Sequence, residues 1–173
     1  MGAPEGWLGG FVPVRAVLAR TAEIAITLGP MEAFPTGVSL ELQITRRRPD
    51  RDHGWDLDGG MQFGVAYADG SKWQGFGQSC PLPGEGPPQA PMMWGAGGGG
   101  TSRHFAHRYW LWPLPPPGPV TFALSWRQEG VEETTVQIEG AVFRAAAEEA
   151  KELWESLTEE EEEAAMRASH RWG

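Results

Sequence analysis

The amino-acid sequence predicts an all-β protein, an antiparallel β-sandwich of immunoglobulin-like general build with a C-terminal amphipathic α-helix. Three observations lead to this prediction. Apolar and polar residues alternate with a period of two in many short runs before residue 140, which is the pattern of half-buried strands. Residues that favour turns separate these runs. After residue 140 the apolar period changes to about 3.6, the period of a helix.

The first two predicted strands show the clearest alternation. One face of each is apolar, formed by Ala22, Ile24, Ile26 and Leu28 in the first strand and by Val38, Leu40, Leu42 and Ile44 in the second. Pro35-Thr36-Gly37 lies between the strands, and proline and glycine favour a turn, so the two strands should pair as a hairpin. A second hairpin is predicted from Phe63 to Trp73 around the tight-turn dipeptide Asp69-Gly70.

A third hairpin-like unit is predicted in the most aromatic part of the chain. It joins a strand over 105–114 to a strand over 120–126 through the proline-rich turn 115–119. Tyr109-Trp110-Leu111-Trp112 is apolar on both faces, so we expect a central strand that is covered on both sides. A further strand is predicted over 134–139, and 12–18 would supply an edge strand. The predicted sandwich domain is therefore 1–140.

The helix is predicted over 141–157. Its apolar stripe consists of Phe143, Ala146, Ala147, Ala150, Leu153, Trp154 and Leu157. We expect this stripe to pack on the sandwich and to cover the outer face of the Trp110/Trp112 strand; a helix that binds a partner is the alternative. Residues 158–173 contain few apolar side chains, so they are expected to form an acidic tail that is flexible or partly helical.

The segment 75–101 has no apolar period and is predicted to be a long loop rich in Gly and Pro. Loops of this length are usually either functional or disordered. Met92, Met93 and Trp94 are the candidate partner-binding residues, because two flexible thioethers and an indole in such a loop are either tucked into the domain or offered to a partner.

Residues capable of catalysis, or of binding a metal or a cofactor, do not form a recognisable site. The run 95–100 satisfies the dinucleotide pattern GxGxxG, but it lacks the preceding strand and following helix. His104 and His107 fall on opposite faces of a predicted strand, which prevents joint ligation of a metal unless the strand bulges. Cys80 is the single cysteine, and no Asn is present to orient a catalytic base. We therefore predict no catalytic residue, no cofactor and no metal.

The charge and the hydropathy pattern restrict the classes of partner and location. The chain has 14 Lys and Arg against 23 Asp and Glu, a net charge of -9, which repels nucleic acid. No apolar run approaches the roughly 18 residues that a membrane span requires. With one cysteine and no signal-peptide pattern, the chain is expected to be cytoplasmic.

Several segments resemble an uncharacterised family of small cytoplasmic proteins common in actinomycetes. They are Gly97–Gly100, the run YWLWPLPPPGP over 109–119, the strand that ends in Trp126, and the helix from Ala145 to Trp154. The resemblance covers roughly residues 10 to 155 and is most specific in the run 109–119. It implies no activity, substrate or catalytic residue.

Together these observations predict a non-enzymatic interaction or structural module with an unknown protein partner. The alternative is a domain that binds a small ligand or a carbohydrate on exposed tryptophans. Its stacking platform would be drawn from Trp73, Trp94, Trp110 and Trp112, beside the acidic residues Asp56 and Asp58. An enzyme that uses Cys80 or a histidine is a third possibility.

Overall fold

The computed structural model describes residues 2–49, 60–75, 90–154 and Glu161. The strands are β1 (Trp7–Leu8), β2 (Gly10–Phe11), β3 (Ala16–Arg20), β4 (Ile24–Phe34), β5 (Gly37–Arg46), β6 (Met61–Ala66), β7 (Lys72–Gly75), β8 (Met92–Gly100), β9 (His104–Trp112), β10 (Pro119–Trp126), β11 (Val131–Glu139) and β12 (Lys151–Glu152). A 3-10 turn spans Arg127–Glu129, and the helix α1 spans Gly140–Glu148. The prediction of an all-β protein with one C-terminal helix is confirmed for these residues.

Two antiparallel sheets face each other across the main core. One sheet has six strands, in which β2 and β3 both pair with β4 and the order continues through β5 and β9 to β8. The other has four strands in the order β11, β10, β6, β7. Their inner faces meet where the rings of Phe63 and Tyr109 lie 5.5 Å apart between centroids. This arrangement is sandwich-like; the immunoglobulin-like build stays a prediction.

The first two predicted hairpins are confirmed. In β4 and β5, Phe34 pairs with Gly37, so the turn lies where the proline and glycine predicted it. The apolar face of β5 is at most 1% exposed at Val38, Leu40, Leu42 and Ile44. Strands β6 and β7 pair around Asp69, whose carboxylate accepts a hydrogen bond of 2.9 Å from the Ser71 amide. Local alternation and turn chemistry predicted both units, although Ala22 of the first predicted strand is exposed and precedes β4.

The prediction of a third hairpin, formed by the strands before and after the proline-rich turn, is wrong. Strand β9 lies between β5 and β8 in the six-stranded sheet, as predicted for a central strand, whereas β10 lies between β6 and β11 in the other sheet. The proline-rich segment after Trp112 therefore carries the chain from one sheet to the other. The Tyr67 hydroxyl donates a hydrogen bond of 2.8 Å to the Pro113 carbonyl at this crossing. Both edges of β9 are already paired, so β10 has no place beside it.

The helix is shorter than the predicted 141–157. It ends at Glu148, and its buried residues include Phe143, Ala146 and Ala147 of the predicted stripe. The chain then forms β12, which pairs with β1, and the Leu153 amide donates a hydrogen bond of 2.7 Å to the Gly6 carbonyl. This pairing with a distant strand competes successfully with continuation of the helix.

Because the helix ends early, the last part of its predicted stripe is not buried. Leu153 is 51% exposed and Trp154 is 67% exposed, so the prediction that these side chains pack on the sandwich is wrong. The helix packs on β2, β4 and β11 instead of on the outer face of β9. Residues 155–157 of the predicted helix, and the predicted tail 158–173 apart from Glu161, lie outside the described residues.

Candidate functional site

The outer face of the six-stranded sheet has an apolar cluster of its own, separate from the core between the sheets. Phe34, Trp94 and Trp110 are buried in this cluster, and Trp7, Met92 and Trp112 pack against them half-buried. The rings of Phe34 and Trp110 lie 5.6 Å apart with an angle of 53° between their planes. Trp7 of β1 thus packs against this cluster on the outer face, where the sequence predicted the helix.

Strand register explains how side chains assemble beside this cluster. Residues directly opposite each other on paired strands project to the same face of a sheet. Phe11 of β2 is opposite Glu32, Glu32 is opposite Ser39, Ser39 is opposite Trp110, and Trp110 is opposite Trp94. One row of side chains therefore crosses five strands. Ser39, the smallest member, leaves a depression between Glu32 and Trp110.

The depression continues into the next rows. Glu41 is opposite Arg108, and Ala106 is opposite Gly99 on the edge strand β8. Small residues on β8 and β9 leave the sheet backbone open to solvent there. Two adjoining cavities of about 470 Å³ and about 340 Å³ share Glu41, Ala96 and Arg108. We call the combined depression the outer groove; it is lined chiefly by Trp7, Phe11, Glu32, Phe34, Ser39, Glu41, Ala96, Gly97, Gly98, Gly99, Ala106, Arg108 and Trp110.

The charged side chains of the outer groove differ in how they are held. Glu41 is half-buried and accepts a hydrogen bond of 2.6 Å from the Gln43 amide nitrogen. The Gln43 amide oxygen in turn accepts a hydrogen bond of 3.3 Å from Arg15. Glu32 and Arg108 are exposed, and neither makes a hydrogen bond or an ion pair with another described residue. Their charges remain available to a bound molecule.

The glycine-rich part of β8 also shapes the inner face of the sheet. A Cβ atom at Gly95 would lie 2.8 Å from Nε2 of His107, and one at Gly98 would lie 2.9 Å from Nδ1. The absence of side chains therefore lets the imidazole lie against the strand. The ring of Tyr109 is 4.5 Å from that of His107 between centroids, and burial lowers the pKa of His107.

The glycine run 95–100 thus lies in strand β8 and not in the loop that the sequence predicted. Register places His107 opposite Leu42 of the inner face and His104 opposite Thr45 of the outer face, as the sequence predicted for these two histidines. Among the described residues, no group of three or more His, Cys, Asp or Glu side chains is arranged to hold a metal ion.

The candidate partner-binding residues Met92, Met93 and Trp94 lie on β8, so their assignment to a loop is wrong. Met93 is opposite Leu111 in the main core, and Trp94 is opposite Trp110 in the outer cluster. Met93 is 1% exposed and Trp94 is 6% exposed, so neither side chain is free to anchor a partner. The residues of β9 supply the packing partners that the segment's own sequence does not reveal. Residues 76–89 of the predicted loop lie outside the described residues.

The tryptophans proposed as a stacking platform are not exposed. Trp73 is 9%, Trp94 is 6% and Trp110 is 2% exposed, while Trp112 is half-buried. Asp56 and Asp58, the acidic neighbours in that alternative, lie outside the described residues. Three of these four indoles are therefore too buried to offer a stacking surface, and Trp112 is the one that is partly open to solvent.

Apart from Trp110, sequence reasoning did not identify the residues of the outer groove as a candidate site. Glu32 and Glu41 lie on polar faces of strands that were predicted correctly or in part, and such faces are usually only solvated. Phe11 and Trp7 stand in short strands near the start of the chain, with too few residues to show a period. Only the cross-strand register brings these side chains together.

No family model matches the chain, and no curated protein or solved structure is significantly similar to it. The resemblance to an actinomycete family therefore stays a prediction. In the described part of the chain, no helix has the length and apolarity needed to cross a bilayer.

Proposed function

We propose that this protein is a non-enzymatic interaction module that binds an extended segment of a partner protein in the outer groove. The observation that supports this most directly is continuity: the two cavities share lining residues and together cross the sheet from β2 to β8. Five strands enclose four gaps of about 4.8 Å, so the groove is about 19 Å long. About six residues of extended chain, at roughly 3.3 Å each, would fill it.

The chemistry of the groove also suits a protein ligand. Aromatic and arginine side chains are enriched where protein interfaces are most strongly bound, and the groove contains both. Phe11, at 62% exposed, is a large apolar side chain that contact with a partner would cover. The exposed Glu32 and Arg108 provide charges that select among segments. Because the groove contains both aromatic and charged side chains, it favours a segment with matching apolar and charged residues over a segment that is only apolar.

We also propose a cytoplasmic location for this module. The support is that the chain has a single cysteine and so cannot form an internal disulfide. The partner class proposed is a protein, since a net charge of -9 opposes binding to a polyanion such as nucleic acid.

A photo-crosslinking experiment tests the groove directly. A benzophenone amino acid replaces Phe11 in the groove or, as the control, Gln74, which is exposed on β7 of the other sheet. Each protein is irradiated in lysate of the native host, and the adducts are mapped by mass spectrometry. We expect the Phe11 probe to label one linear segment of a defined partner, and the Gln74 probe not to label that segment.

A groove-filling substitution shows whether this labelling depends on the groove. Ser39→Trp places a large side chain in the depression, and Ser125→Trp makes the same change on the outer side of the four-stranded sheet. Excess unlabelled Ser125→Trp protein should compete with labelling as well as wild type does, and excess Ser39→Trp protein should not. Equal competition by the two variants, or the same adducts from both probe positions, would contradict the proposed function.

A further inference from the structure

The aromatic end of the outer groove contains a carboxylate that no described residue compensates. Glu32 lies directly opposite Phe11, and Trp7, Phe34 and Trp110 line the same end. The Glu32 side chain is exposed and makes no hydrogen bond or ion pair with any described residue. This end of the groove therefore combines aromatic surface with one negative charge.

The basic residues near the groove lie in other rows of side chains than Glu32. Arg108 is directly opposite Glu41, in the row of side chains next to the row that contains Ser39 and Trp110. Arg15 donates its hydrogen bond to Gln43, which is two residues after Glu41 on β5. Neither cation lies in the row that contains Glu32. The negative charge at the aromatic end is therefore the one that a ligand would have to match.

From these positions we infer that the partner segment presents a basic side chain, lysine or arginine, to the aromatic end of the outer groove; this rests on the proposed function. The charged head pairs with Glu32, and the aliphatic stem packs on the accessible surface of Phe11 and Trp7. A cation within about 6 Å of an aromatic ring gains further attraction from the ring face. Phe34 and Trp110, at 3% and 2% exposed, form the floor.

The charge of the whole chain acts in the same direction. A net charge of -9 raises the local concentration of cationic groups near the surface and accelerates their association. This field attracts any cation without orienting it, whereas the row of Phe11 and Glu32 provides a position. A specific site is therefore distinguished from general attraction by comparing single substitutions that change the net charge by the same amount.

Titration with short peptides tests the inference on the full chain. The probes are capped pentapeptides, acetyl-Thr-Thr-Lys-Thr-Thr-amide and the same peptide with acetylated lysine or glutamate at its centre. Binding is followed by NMR of the tryptophan indole N–H and backbone signals of isotope-labelled protein. We expect the lysine peptide to shift the signals of Trp7, Phe11 and Glu32, with a weaker response at higher salt, and the other two peptides to leave them in place.

Two substitutions in the groove and one outside it identify the groups responsible. Glu32→Gln should weaken lysine-peptide binding by about two- to fivefold, as expected for an exposed charge pair. Phe11→Ala should weaken it by a similar factor, about two- to fivefold, through the lost ring contact. Glu133→Gln removes the same charge from the outer side of the other sheet and should leave binding unchanged. All three residues are exposed, so the fold should tolerate each change.

Several results would overturn the inference. Equal binding of the lysine and glutamate peptides would do so, as would signal shifts spread over both sheets or an equal effect of Glu133→Gln and Glu32→Gln. If the segment crosslinked at Phe11 contains no lysine or arginine, while Ser39→Trp still abolishes competition, the inference fails and the proposed function stands. If Ser39→Trp competes as wild type does, the proposed function itself fails.

Discussion

Substitution of Trp110 by alanine should destabilise the fold strongly, although Trp110 lies outside the core between the two sheets. Its side chain is 2% exposed in the outer cluster. A large aromatic side chain buries roughly 150–250 Å², and at about 25 cal/mol per Å² this burial is worth about 4–6 kcal/mol. That figure is an upper bound, because an unfolded chain already buries part of its apolar surface.

The indole nitrogen reduces the expected loss. Nε1 of Trp110 is buried and has no hydrogen-bond acceptor among the described residues. Its removal recovers the cost of an unsatisfied buried donor, about 1–3 kcal/mol. We therefore expect Trp110→Ala to lower the free energy of unfolding by about 3 kcal/mol. Trp110→Phe, which keeps an aromatic ring and removes the N–H, should cost much less than that.

Trp154 provides the matched control, since it is 67% exposed. Trp154→Ala should change the free energy of unfolding by about 0.5 kcal/mol or less, as surface substitutions usually do. The helical stripe in the sequence predicts the opposite, a loss of roughly 3 kcal/mol. Urea unfolding followed by far-UV circular dichroism measures all three variants without relying on tryptophan emission. Equal losses at the two positions, or a loss below about 1 kcal/mol for Trp110→Ala, would refute the outer cluster as a source of stability.

Two further predictions concern the packing of single residues. Because burial lowers the pKa of His107 in the folded state, its contribution to stability is present above the unfolded value of about 6.5 and is lost as the pH falls below it. The urea concentration at the unfolding midpoint should therefore decrease as the pH is lowered from 7.5 to 5, and His107→Gln should make this decrease smaller. An identical pH profile in the variant would contradict the role of His107. A Cβ atom at Gly10 would lie 1.6 Å from the carbonyl oxygen of Ala146, so Gly10→Ala should displace the helix and cost about 2 kcal/mol or more. At Gly99 nothing lies within 4 Å of the added atom, so Gly99→Ala should cost about 0.5 kcal/mol or less in the same denaturation assay.

The groove illustrates why a site can escape sequence analysis even where the strands are predicted well. The alternation in β5 identifies Ser39 and Glu41 as outward-facing, but outward-facing polar residues are common on any antiparallel sheet. What makes them part of a groove is that Trp110 and Arg108 are their neighbours on β9. Register between strands far apart in the chain is not contained in the period of either strand.

By itself, the sequence determined features that depend on neighbours along the chain. The alternation from Val38 to Ile44 specifies which face of β5 is buried, because successive side chains of a strand point to opposite faces. Asp69-Gly70 specifies a hairpin turn, because these residues favour the backbone conformation of a tight turn. Three features follow only from the tertiary structure: β9 and β10 join different sheets, Lys151–Glu152 pairs with β1 instead of extending the helix, and Trp7 packs against the outer cluster. These outcomes depend on which distant segment has unpaired backbone groups and unburied apolar surface. Segments that are far apart in the chain meet only when the whole chain folds.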